Sequence, residues 1–381
     1  MEQILSANPK REFTFEALAD DQLGRISLEH PVLRFASNPI LTCHDVNRAW
    51  RHPALMVKTT HNAGVVRFQD HVVMLFRAHL RNGISVIGLA RSRDGLGDWH
   101  VDPQPALVPC NKDDRYAEGV DPKQLIENEG GGVEDPRITQ VDDTYYITYS
   151  AYHATLKDRV RVSLATTTDF AGFCRHGVVC DADMRNVVIF PKRFGGKYVG
   201  LFRPNDRHDG GVGGAFAAIR LATTGHLESN QWVMADKPLF KTGGGPSAFS
   251  DKIGPGAPPI RTPYGWINIF HGVRNTMDGN PYVLGVALHD LDDPQIVKVS
   301  AIPILFPTRA DCVVSDNDYV HVPNVVFTCG AIPADGGGIL IYYGGSDTVM
   351  NVGWSHADVL SALCEQFPMD VETGRPAYDI R

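Results

Sequence analysis

The stretch GGGVEDPR, Gly130 to Arg137, sets two adjacent carboxylates between a run of glycines and a proline–arginine pair. It leads directly into ITQVDDTYYITYSAY, a run of β-type residues. A carboxyl held at the start of such a strand can serve as a general acid or base. Similar polar residues mark other strand starts and inner runs: Asn62, Arg77, Arg185, Arg203, Lys252, His271 and Asp347 join Asp135 and Arg137. The set is rich in cations and poor in acids. A neutral sugar alone does not need four or five positive groups, whereas a sugar together with an anion does. Each residue also has a plainer reading. Asp135 could cap its strand and pair with Arg137, and the cations could be solvated charges or structural ion pairs. His271 could be a satisfied inner-strand residue, and Asp347 a polar turn residue within GGSDT. What separates the readings is whether residues so far apart in sequence converge.

The elements that would bring them together are short β-type runs paired around polar turns, with long helical periodicity nearly absent. Five such sets begin near residues 63, 136, 186, 256 and 322. Each contains a matching later run: LARS, LATT, LATT, VALH and GWSH. Turn chemistry agrees at Gly195-Gly196, Tyr264-Gly265 and Asp142-Asp143. Spacings of roughly 50 to 73 residues suit propeller blades with variable loops. The prediction is an all-β, five-bladed β-propeller. A pair of β-sandwich domains is the alternative, disfavoured because no Pro/Ser-rich linker divides the repeats. In a propeller the innermost strands line one channel, so the polar residues at their starts meet at one mouth.

Residues 1–60 are expected to form an N-terminal arm and lead-in, with a short helix over ALADDQLGRISLEH. Residues 61–362 are expected to form the catalytic propeller and 363–381 a C-terminal tail. Cys110 to Gly132 is charged, glycine-ended and poor in apolar residues, and reads as a long surface loop inserted between blades 1 and 2.

Composition bounds the function. The chain of 381 residues is 43% hydrophobic and 21% charged, an ordinary globular balance. A net charge of −8 argues against a nucleic-acid partner. No apolar run is long enough to cross a membrane, and the first residues show no signal-peptide pattern. Seven cysteines without CxxC spacing read as free thiols in a reducing cytoplasm. The 15 histidines show no HExxH or similar spacing, so no metal is expected.

Several long segments together resemble glycoside hydrolase family 130, the β-mannoside phosphorylases and mannosidases. They are HNAGVV, VVMLFRAH, GVEDPRIT with TYYITYSAY, VVIFPKRFGGKYVGLFRP, DKIGPGAPPIRTPYGWINIFHGV and YYGGSDTVM. They occur in order from about residue 61 to 350. The resemblance implies a five-bladed propeller in which Asp135 is the sole general acid, its proton passing through the 3-hydroxyl of the bound mannosyl unit. It implies phosphate contacts from Arg185, Arg203, Lys252 and His271, and sugar contacts from Asn62, Arg77 and Asp347. Pro136 is expected to hold Asp135 extended, and the glycines to turn the inserted loop away from it. An acid working near neutral pH has to keep its proton there, by desolvation or beside another carboxylate such as Glu134.

An inverting hydrolase needs a second carboxylate to activate water, whereas phosphate is already a nucleophile and needs cations. The basic set therefore favours phosphorolysis of a β-1,2- or β-1,4-linked mannoside, or a mannosyl-glucose, to α-mannose 1-phosphate. Inorganic phosphate is then the co-substrate, with no other cofactor. The alternatives are a β-mannosidase using Asp206, Asp209 or Glu228 as base, and a non-catalytic sugar-binding propeller. The sequence departs from the family pattern at Lys192, Arg193, Phe202 and Ala63, which bears on acceptor and linkage more than on reaction class. The N-terminal arm and the inserted loop are candidate interface elements of a homo-oligomer.

Overall fold

The computed structural model describes residues 26–379 apart from 158, 205–217, 244–246, 278, 313 and 315–317. Runs such as Val72–Phe76 are buried on both faces. Strands of that kind have to be covered from two sides, which stacked sheets around a ring provide. Five antiparallel sheets do so. Blade 1 comprises Val57–Phe68, His71–Leu80, Ser85–Ser92 and His100–Val101. Blade 2 comprises Gly132–Val141, Thr144–Tyr152, Val160–Thr167 and Cys174–Val178. Blade 3 comprises Met184–Phe194, Lys197–Pro204, Ala218–Thr224 and Val233–Met234, with Phe240–Lys241 added beside Ala218–Thr224. Blade 4 has an inner strand in two pieces, Lys252–Pro255 and Ile260–Thr262, then Gly265–Val273, Tyr282–His289 and Val297–Ser300. Blade 5 comprises Val326–Pro333, Gly338–Gly345 and Val349–His356.

The fourth strand of blade 5 comes from the other end of the chain. Leu33 and Arg34 pair antiparallel with Trp354 and Gly353. Residues 368 and 369, from the expected tail, add an outer strand to blade 4. Parts of both terminal segments that the sequence reading set outside the propeller are thus stitched into it. Arg34 secures this closure, donating from Nε to Asp311 Oδ1 at 2.7 Å and from Nη2 to Oδ2 at 3.0 Å. The expected N-terminal helix falls largely outside the described residues, and residues 26–30 are not helical.

Apolar side chains form a separate cluster at each of the five blade–blade boundaries. Two helices support the ring. Helix α1 (Cys43–Trp50), capped by Thr42 and Asp45, buries Val46 and Trp50 in the cluster between blades 1 and 5. A longer helix, Ala357–Gln366, packs Leu360 and Leu363 into the cluster between blades 4 and 5.

The inserted segment is more ordered than a surface loop. It holds a helix, Pro122–Glu129, with Pro122 at its first position and Asp121 accepting from Lys123 N. Its last residue, Glu129, is fully buried against Arg175 Nη1 at 2.6 Å and Tyr149 Oη at 2.7 Å. Gly132 then turns the chain into blade 2 with φ +127°, a conformation that favours glycine. Below the mouth the inner strands close on each other. A Cβ on Gly64 would lie 2.7 Å from Pro136 O of the next blade, so only glycine admits that approach.

Candidate functional site

Three inner strands share a local device. Asn62, Asp135 and Asn186 have φ of +51°, +54° and +55°. Each lies at a break in strand register: between His61 and Gly64, Glu134 and Arg137, and Arg185 and Val188. Asn and Asp tolerate this left-handed conformation better than most residues, and a bulge re-aims the side chain it carries. Pro136 therefore does not hold Asp135 extended, as the sequence suggested. Proline disfavours the right-handed helical region for its predecessor, and the bulge selects the left-handed one.

Arg137 sits beneath this turn and is fully buried. It donates from Nη1 to the Asp135 carbonyl (2.8 Å), from Nη2 to Asn186 Oδ1 (2.9 Å) and from Nε to Gly256 O (2.9 Å). It thus binds the backbone of Asp135 rather than its carboxylate, and ties blades 2, 3 and 4 together.

The bulged residues open on a cavity of about 140 Å³. Asn62, Arg77, Asp135, Arg185, Arg203, Lys252 and Asp347 all line it, so seven of the eight expected site residues converge. The eighth, His271, does not. It is fully buried behind Arg203, its Nε2 3.4 Å from Arg203 Nη1. Burial, then Arg203, Arg137 and Lys252, hold its pKa well below the ordinary value, so it is a neutral neighbour of Arg203 rather than a cation in the cavity.

One side of the cavity, from blades 1, 2 and 5, is acidic around a single arginine. Asp135 Oδ1 accepts from Asn62 Nδ2 at 3.0 Å and lies 3.4 Å from Arg77 Nη1. Arg77 Nη2 reaches Glu134 Oε2 at 2.8 Å, and Nε donates to Ser85 Oγ at 3.1 Å. Asp347 stands in the hairpin turn after Gly338–Gly345, where Ser346 and Asp347 both have positive φ. Burial alone would lower the Arg77 pKa, but Glu134, Asp135 and Asp347 outweigh it and keep the guanidinium charged. Burial pushes the Glu134 carboxyl up against the pull of Arg77, with Asp135 adding to the rise. Asp347 is pushed up to about 7 by burial, Arg77 opposing and the two other carboxylates adding.

The other side, from blades 3 and 4, carries Arg185, Arg203 and Lys252. Arg185 and Arg203 are direct cross-strand partners, an arrangement that like charges disfavour. The Nε atoms of both are buried without a hydrogen-bond partner among the described residues. Burial, then Arg185 and Arg137, push Arg203 down to about 10, with Tyr282 and Asp135 opposing. Positive charge is thus concentrated on this side of the cavity, which favours a bound anion.

Sequence reasoning missed Asn186, Tyr282 and Phe327, which also line the cavity. Aligning the repeats at HNA, EDP and RNV would have found Asn186, which occupies the same bulge as Asn62 and Asp135. Tyr282 and Phe327 carry no such signal, since aromatics in these strands mostly pack. Tyr145, Tyr146, Trp266 and Tyr343 are buried in that way. Glu228 is set apart, accepting from Tyr146 Oη at 2.6 Å on the wall of a separate cavity of about 400 Å³ under the inserted segment. Asp206 and Asp209 lie outside the described residues. Of the departures from the family pattern, Lys192 bonds Leu291 O, Arg193 bonds Gly196 O and Phe202 packs on Trp232. None of the three lines the cavity bounded by Asp135 and Arg203. Among the described residues no group of three or more His, Cys, Asp or Glu could hold a metal ion, and no helix is long and apolar enough to cross a membrane.

A five-bladed propeller with carboxyls and cations lining one small cavity offers an acid and an anion site to a small polar substrate. The chain belongs to glycoside hydrolase family 130: the family model described as β-1,4-mannooligosaccharide phosphorylase matches residues 34–366. It is 33% identical over 328 residues to a 1,2-β-oligomannan phosphorylase of Thermoanaerobacter sp. (strain X514), covering 84% of this chain and 95% of that one. It is 29% identical to a 4-O-β-D-mannosyl-D-glucose phosphorylase of Bacteroides fragilis, covering 90% and 85%. The structure of a β-1,2-mannobiose phosphorylase from Listeria innocua, in complex with β-1,2-mannobiose, superposes with a TM-score of 0.70. That match has 27% identity and covers 88% of this chain and 99% of that one.

Proposed function

We propose that this protein is an inverting β-mannoside phosphorylase. It takes a β-1,2- or β-1,4-linked mannoside, mannosyl-glucose included, and releases α-mannose 1-phosphate and a shortened acceptor. The observation that carries this reading is the cross-strand pair Arg185–Arg203, which lines one cavity together with Lys252 and Asp135. In this reading the cations hold phosphate and orient one of its oxygens toward the anomeric carbon. Asn62, Arg77 and Asp347 hold the mannosyl ring. As the phosphate oxygen bonds to the anomeric carbon, the glycosidic C–O bond breaks. The leaving oxygen takes the Asp135 proton, relayed through the sugar's 3-hydroxyl. His271 supports phosphate binding indirectly, by accepting from Arg203.

A hydrolase would need a carboxylate base where the phosphate sits. Among the described residues lining the cavity, the carboxylates Glu134, Asp135 and Asp347 all gather around Arg77, on the other side. The reading requires no metal or organic cofactor, because phosphate is the nucleophile and the side chains supply the positive charge. An intracellular setting suits it, since the product keeps the bond energy as a charged sugar phosphate.

The test is cleavage of β-mannobiose or mannosyl-glucose with and without phosphate. Turnover should depend on phosphate and yield mannose 1-phosphate. Free mannose formed at an equal rate without phosphate would replace this reading with the hydrolase. Absence of either product would leave a sugar-binding propeller.

A further inference from the structure

Inversion constrains where the acceptor lies. The attacking and leaving oxygens stand on opposite sides of the anomeric carbon in an in-line displacement. The anion pole occupies blades 3 and 4, so the leaving sugar has to point across the channel, toward the boundary of blades 1 and 5. At that boundary, above Arg77, the mouth carries a shelf of rings. His79 pairs with Thr59 near the outer end of its strand, two residues beyond Arg77. The His79 and His321 rings lie 5.4 Å apart, and Tyr319 Oη is 2.9 Å from His321 Nδ1. Lys58 Nζ sits 3.7 Å over the Tyr319 ring, which is 43% exposed. The hairpin bearing Asp347 holds the shelf from below, since His321 N donates to Thr348 Oγ1. The shelf also connects to the acid: His79 Nδ1 and Arg77 Nε both lie within 3.2 Å of Ser85 Oγ.

We propose that Tyr319, His321 and His79, steadied by Lys58, form the acceptor-sugar subsite and determine which sugar leaves. This rests on the phosphorylase reading. An exposed tyrosine face suits the apolar side of a pyranose, and imidazoles can both donate to and accept from its hydroxyls. Both histidines are held below their ordinary pKa, by burial first and then by nearby Arg77, so they are neutral at pH 7 and suited to an uncharged ring.

The experiment is synthesis from mannose 1-phosphate with glucose, mannose and N-acetylglucosamine as acceptors, in wild type, Tyr319→Ala, His321→Ala and Tyr319→Phe. Both alanine variants should raise acceptor KM at least tenfold and alter the ranking of acceptors, with KM for mannose 1-phosphate changed less than twofold. Tyr319→Phe, which keeps the ring face, should stay within about threefold of wild type. Acceptor KM unchanged in both alanine variants would overturn the shelf, as would an equal rise in KM for mannose 1-phosphate. A wild-type enzyme that makes no glycoside from mannose 1-phosphate would instead defeat the underlying phosphorylase reading.

Discussion

Asp135 accepts from Asn62, neighbours Arg77 and shares the cavity wall with Glu134 and Asp347. Asp135→Asn should lower turnover by at least the 10²–10⁴-fold typical of a lost general acid. Mannoside binding, followed by titration calorimetry, should survive; undiminished turnover would remove the assignment. Asp347 predicts a pH effect. Its folded carboxyl keeps a proton to about pH 7, whereas an unfolded aspartate releases it near 3.9. Folding therefore takes up a proton between those values, and stability from this group is full below about pH 4 and lost as pH rises through 7. Asp347→Asn should raise Tm relative to wild type at pH 8, with the gain vanishing below about pH 4. An equal Tm difference at both pH values would contradict this account. The residue types of the site were legible because charges stand out in apolar strands. That His271 sits behind Arg203 and off the cavity wall was not legible, because sequence does not show which side of a strand's neighbours a ring will meet.

At the scale of elements, the strands and hairpins were legible from alternation and turn residues, and the bulges were not. A bulge depends on a register between two strands, and no single run encodes it. Pro136 even argued for the wrong backbone at Asp135. The structure shows why the bulge holds: Arg137 grips the Asp135 carbonyl, Asn186 and Gly256 at once. A lysine there cannot reproduce three directed donations from one planar group. Arg137→Lys should therefore reduce kcat at least tenfold while KM for phosphate changes less than threefold, because none of the three Arg137 bonds is made to Arg185, Arg203 or Lys252. A KM effect as large as the kcat effect would show that Arg137 acts on phosphate instead of on the acid. The helix in the inserted segment was likewise hidden, since the apolar content that usually marks a helix is replaced by the buried contacts of Glu129.

At the scale of the molecule, five repeats correctly implied five blades, each boundary filled by its own apolar cluster. How the ring closes was not legible, because Leu33–Arg34 is too short to show a strand pattern. Closure is nevertheless specific. Asp311, 1% exposed, receives two bonds from Arg34 and one from Tyr343 Oη at 2.8 Å, while its carbonyl accepts from Asn351 Nδ2 at 2.7 Å. Removing its carboxylate leaves the Arg34 charge and the Tyr343 hydroxyl without their acceptor. Breaking a buried pair in this way costs about 3–5 kcal/mol, and the partial exposure of Arg34 argues for the lower end. Asp311→Ala should accordingly lower Tm by several degrees. Arg34→Ala should lower it less, because the carboxylate it leaves behind keeps the bonds from Tyr343 and Thr308. Phosphate KM should not change in either variant, since Arg185, Arg203 and Lys252 stand on blades 3 and 4, whereas Arg34 and Asp311 bond to each other and to blade 5. An unaltered Tm in Asp311→Ala would mean that strand pairing and apolar layers alone close the propeller.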